Sequence, residues 1–207
     1  MIKKDRHNTK RINPFFKDYG TLHYTIPFAR IKTSDYEEAF MEGIKRDDEE
    51  IDKIISDTSE PTFDNTISRI DKEKGEHYYD LLDRVSNVFS CMLSANTNDE
   101  MDKLAQKLSP ILTKHSNDVS LNKKLFERIK YVHEHHRELT AEEQILLDKS
   151  YDGFVRSGAL LNDADKDKLR KLTEESSMMS LQFSQNLLKE TMAYELHITN
   201  EEEHIQG

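Results

Sequence analysis

Cysteine, glycine, proline and tryptophan are scarce: one Cys, six Gly, four Pro and no Trp in 207 residues. The single Cys91 excludes an internal disulfide and any zinc site built on several cysteines. So few turn-formers argue against an all-β sandwich or barrel, which needs a turn every ~8–12 residues. No run approaches ~18 consecutive apolar residues, so no membrane span is expected. The first sixteen residues are basic but carry no apolar stretch of the kind a secretory signal requires, so a cytoplasmic location is expected. G-x-S-x-G, a P-loop and G-x-G-x-x-G are missing as well. Serine and histidine are plentiful, yet no arrangement of them identifies a triad. No internal repeat is evident, which favours an irregular bundle over a solenoid.

Charge is what the sequence has in quantity. Charged residues make up 34% and hydrophobic residues only 35%, a balance that fits long helices with solvated faces. Forty acidic against 30 basic residues give a formal net charge of −10. Nucleic-acid binding normally needs a net positive surface, so no nucleic-acid partner is expected.

The chain reads as an extended arm over 1–32, a helical domain over 33–192 and a continuing segment over 193–207. Pro14 and Pro27 interrupt the arm, and residues 22–26 alternate weakly like a strand. Ser34 with Glu37 has capping-box spacing and opens a first helix with the stripe Tyr36, Phe40, Ile44, Ile51, Ile54 and Ile55. A second long helix is expected from about Thr62 to Ala95, with Ile67, Ile70, Tyr78, Leu81, Val85, Val88 and Met92 at bundle spacing. Thr97 and Glu100 form another capping box before Met101, Leu104, Leu108, Ile111 and Leu112. Pro110 predicts a kink or break near Ser109. Asn122 can cap a fourth helix through Leu125, Ile129 and Val132. Thr140 with Glu143 opens a fifth through Leu146, Leu147, Tyr151, Phe154 and Val155, and Gly158 suits a left-handed C-terminal cap. Asn162 can cap the last long helix, whose stripe is Leu169, Leu172, Ser176, Met179, Phe183, Leu187 and Glu190. Residues 193–199 then alternate like a short half-buried strand, with 21–26 as the only partner in view. The expected class is all-α: an irregular bundle of long antiparallel helices with an extended N-terminal arm and one short C-terminal strand.

Candidate chemistry is thin. His133-Glu134-His135-His136 comes near the zincin motif H-E-x-x-H, but Arg137 stands where the second histidine belongs. His133 and His136 could share a face, yet no third ligand is apparent, and an exposed polar helix end accounts for them. The run Asp47-Asp48-Glu49-Glu50 lacks the alternation and glycine of an EF-hand loop and reads as a solvated helix face. Met178 and Met179 read as core filler, and Cys91 as a small buried thiol.

Several strings together resemble a known family. They are Asn13-Pro14-Phe15-Phe16, then Ile26-Pro27-Phe28 leading to Tyr36, Ala39-Phe40 and Gly43-Ile44. Pro61-Thr62-Phe63-Asp64-Asn65-Thr66, Ser94 to Glu100 and Leu121 to Phe126 follow. Tyr151 to Gly158, Leu181 to Asn186 and Ala193 to Leu196 complete the set. In this order they resemble the N-terminal part of bacterial peptidyl-dipeptidases, the dipeptidyl carboxypeptidases of the thimet oligopeptidase and oligopeptidase A family of zinc metallopeptidases. The resemblance runs from Asn13 to Thr199 and looks closer to the peptidyl-dipeptidase branch than to the endopeptidases.

That resemblance implies a helical wall of a deep, narrow channel that admits short peptides. It places the chemistry in a later catalytic domain, where H-E-x-x-H and a downstream Glu hold zinc. None of those residues has a counterpart up to Gly207, so no catalytic, cofactor-binding or metal residue is assigned here, and zinc is expected only in the full-length family. The implied partners are a missing or separate catalytic domain and, in the whole enzyme, short peptides. The chain alone is expected to be inactive, and exposed apolar surface would favour self-association. The alternatives are a stand-alone helical peptide- or protein-binding module derived from that family, and an unrelated helical scaffold.

Overall fold

The computed structural model describes residues 11–71, 81–135 and 138–197. Among them the chain is all-α: three short 3-10 turns lead into α1 (Thr33–Ser56), followed by a π-helical turn (Phe63–Ile67), α2 (Ser68–Asp71), α3 (Leu81–Ala95), α4 (Asp99–Ser120), α5 (Lys123–His135), α6 (Ala141–Arg156) and α7 (Asp163–Ala193). The expected second helix is thus a π-turn, α2 and α3, with 72–80, including Tyr78, outside the described residues.

Two apolar cores hang on α1. Its first half carries Tyr36, Ala39 and Phe40 into a core with Leu81, Val85, Val88 and Phe89 of α3, Met101, Leu104 and Leu108 of α4, and Phe15 of the arm. Phe15, Tyr36, Phe89 and Phe40 form a chain of rings with centroids 5.1–5.4 Å apart. Its second half carries Ile51 and Ile54 into another core with Phe63, Ile67, Leu125, Ile129, Val132 and Leu147. Fully burying one such side chain contributes ~1.5–3 kcal/mol. Most of the stripe positions predicted for α1 to α5 are buried among the described residues, while Ile55, Ile70, Met92, Ile111 and Leu112 are half-buried.

Helix starts follow local chemistry, with two corrections. Thr140 accepts from the Glu143 backbone N–H while Glu143 accepts from that of Thr140. Asn122 caps α5 and Asn162 caps α7, each accepting from the backbone three residues on. At α1, Ser34 and Glu37 do not form the expected box: the Asp35 carboxylate reaches back to the Lys32 N–H at 2.7 Å. Arg11 grips that carboxylate at 2.6 and 2.7 Å, which fixes the arm to the helix start. At α4, Asn98 rather than Thr97 caps, accepting from Glu100 and Met101, and Thr97 donates to Asp102 instead.

Three other expectations fail. Of the kink or break expected near Ser109, the break is not seen: α4 runs continuously through Pro110. Proline in a helix interior costs ~3 kcal/mol, and apolar anchors on both sides, Leu104 and Leu108 before it and Leu112 after, hold the helix together. Residues 22–26 do not form a strand: Leu22–Tyr24 is a 3-10 turn with His23 at φ 55°. The described part of the expected C-terminal strand, Tyr194–His197, is not in a strand either. Among the described residues no strand runs beside it to satisfy its backbone; residues 198 and 199 lie outside the described residues.

Candidate functional site

Most of the chemistry-bearing side chains have structural partners. His133 stacks on Tyr151 with centroids 4.2 Å apart, and its Nε2 lies 3.5 Å from Asp148. His135 stacks on Tyr131 at 4.2 Å. His136 lies outside the described residues. Among the described residues no group of three His, Cys, Asp or Glu side chains is arranged to hold a metal ion. Cys91 is exposed, not buried; it shares the outer face of α3 with Asn87, Ser90 and Ser94.

The acidic run of α1 is only partly the solvated face the sequence suggests. It lies between the two cores and ties α1 to its neighbours. His115 of α4 sits between Asp47 and Asp48, 2.8 and 3.0 Å from their carboxylates. The hydrogen bond to Asp47 raises the His115 pKa above its ordinary value, against the opposing pull of burial. Glu50 accepts from Arg69 of α2 and pairs with Lys53 at 3.3 Å. Arg128 of α5, almost fully buried, donates to the Asp57 carbonyl at 2.7 Å and to Asn65 at 3.0 Å, pinning the loop before the π-turn. The sequence showed no signal for the His115 and Arg128 links, because their partners lie 63 to 71 residues apart.

α7 is the element whose placement the sequence misjudges. It docks on α4 through a polar ladder. Lys166 donates to the Leu121 carbonyl at 3.1 Å, and Arg170 pairs with Asp118 at 2.6 Å. Asn117 bonds Thr173 at 2.8 Å, Thr113 bonds Ser177 at 2.9 Å, and Gln106 bonds Gln185 at 3.0 Å. The facing side of α4 is polar, and buried polar groups must be partnered, so α7 turns its polar ladder inward. The stripe expected in the core therefore faces out. Leu172, Met179, Phe183 and Leu187 are 57–71% exposed, and Met178 is exposed as well. A shallow groove of ≈ 600 Å³ runs along this face between Leu172 and Ser184. The signal that could have revealed it was the charge pattern: Ser176 to Leu188 contains no charged residue, in a chain that is 34% charged.

A second, smaller cleft of ≈ 400 Å³ lies in the arm, lined by Arg11, Lys17, Arg30 and Lys32 among others. Arg11 there is already bound to Asp35. Among the described residues no helix is long and apolar enough to cross a membrane.

No protein-family model matches the chain. Two curated relatives do. The chain is 36% identical over 184 residues to a dipeptidyl carboxypeptidase of Salmonella typhimurium, an alignment that takes in 87% of this chain and 26% of that protein. It is 37% identical over 180 residues to a dipeptidyl carboxypeptidase of Escherichia coli, covering 86% of this chain and again 26% of the relative. The chain spans about a quarter of the length of these relatives and, over that quarter, is related to the dipeptidyl carboxypeptidases.

Proposed function

We propose that the chain serves as the N-terminal channel-wall portion of a zinc-dependent peptidyl-dipeptidase, an enzyme that removes C-terminal dipeptides from short peptides. The observation that carries this reading is the 36–37% identity along 86–87% of the chain to proteins named dipeptidyl carboxypeptidase. The helical scaffold agrees with it: two cores strung on one long helix give a stiff slab, and a slab with one long uncovered face suits a wall.

In this role the chain contributes shape. Its residues hold the slab rigid and leave the hydrolysis to the other portion. Zinc, where the whole enzyme binds it, would polarise the scissile carbonyl and activate water. The sequence contains no H-E-x-x-H, and His133 is engaged with Tyr151 and Asp148, so no step of that chemistry falls to these residues. The purified chain, supplied with zinc and a free-ended test peptide, is expected to release no dipeptide. Metal-dependent release by this chain alone would contradict the reading.

A further inference from the structure

The outward face of α7 is made for contact. Eight of the fifteen large apolar side chains that are exposed among the described residues fall between Leu172 and Leu196. Lone exposed apolar residues are ordinary, but a contiguous patch of this kind marks an interaction surface. Its relief suits a partner helix or strand, since Leu172, Met179 and Phe183 stand as knobs with the small Ser176, Ser180 and Ser184 between them. The absence of charge from Ser176 to Leu188 is the second sign. The rest of the surface is dense in charge, as a free surface is, and the centre of an interface is depleted of it.

We infer that this face is the seat of the polypeptide corresponding to the remaining three-quarters of the curated relatives, and that it is buried in the assembled enzyme. Two observations select that occupant over a second copy of the chain. The relatives carry about three times as much further polypeptide as this chain matches. The patch also does not stop with α7: it follows the chain through Met192, 76% exposed, to Tyr194 and Leu196, 72% and 66% exposed. An interface continuous with the chain's own path fits a portion of the same enzyme. A second copy would in addition bring together two chains that each carry a net charge of −10. This inference rests on the proposed function, and its test separates the two.

The chain's own methionines are the probes. The chain is compared with a chimaera in which it replaces the matched quarter of the Escherichia coli relative. Peroxide oxidation at each methionine is followed by mass spectrometry, with Met41 of α1, 47% exposed, as the reference within each protein. Relative to Met41, Met179 and Met192 are expected to react about tenfold more slowly in the chimaera than in the isolated chain. Both proteins are compared at a dilution at which the isolated chain is monomeric, because a bare apolar face favours self-association; an unchanged ratio there overturns the inference. A Phe183→Asp variant of the isolated chain is expected to melt at the same temperature as the parent, because that ring is 68% exposed among the described residues. A loss of several degrees would mean the face belongs to this chain's own core and would equally overturn it. Dipeptide release by the chimaera reads the proposed function separately. Protection without release leaves the docking face standing and removes the function; release without protection does the reverse.

Discussion

At the scale of the residue, His115 shows how burial and pairing compete. It sits at the junction of the two cores, between Asp47 and Asp48, and the Asp47 hydrogen bond holds its pKa above 6.5. Its charged form is thus favoured in the folded chain. The stability it confers is fully present below about pH 6.5, the pKa of an unfolded histidine, and is lost as pH rises through the higher folded value. The melting temperature is expected to fall as pH rises above about 6.5, and a His115→Gln variant should lose part of that slope. An identical slope in the variant would contradict this assignment. The sequence made caps such as Asn122, Asn162 and Thr140 legible, because a cap and its backbone donors lie within three residues. It did not make Arg11–Asp35, His115–Asp47 or Arg128–Asn65 legible, because each joins positions 24 or more residues apart. Cys91 was misjudged on residue type, although its helical neighbours Asn87, Ser90 and Ser94 already marked a polar face.

At the scale of the element, α1 and α3 meet at Gly43. A Cβ there would lie 3.0 Å from the backbone N and Cα of Leu82. Backbone cannot move aside as a flexible side chain can, so Gly43→Ala would force the two helices apart. The expected cost is about 1–3 kcal/mol, the usual range for overpacking, read as a lower denaturant midpoint. An unchanged midpoint would mean that the two helices are not in contact there. Apolar periodicity located α1 and α3 to α6 well, because each buries the stripe that the period picks out. For α7 the same period picks out the exposed face. A stripe records that a surface is to be buried, but not by what; here the inward ladder is polar and the stripe points away. Pro110 teaches a related lesson, since its local rule is overridden by packing on both sides.

At the scale of the molecule, two apolar cores share α1, and the outward face of α7 is exposed among the described residues. The fold class was legible from the scarcity of glycine and proline and from the three-four spacing. The functional relationship was legible only from ordered strings, in which buried positions such as Phe15, Phe40 and Phe63 and caps such as Asn122 stand among exposed positions. Among the described residues no group of His, Cys, Asp or Glu side chains is arranged to hold a metal ion, and the proposed function assigns the hydrolysis to another portion of the enzyme. The most direct test of that account is peptidase activity in the Escherichia coli relative, measured with its matched quarter replaced by this chain and, in parallel, with that quarter deleted. The account expects zinc-dependent dipeptide release from the chimaera and none from the deletion. A chimaera as inactive as the deletion would contradict it.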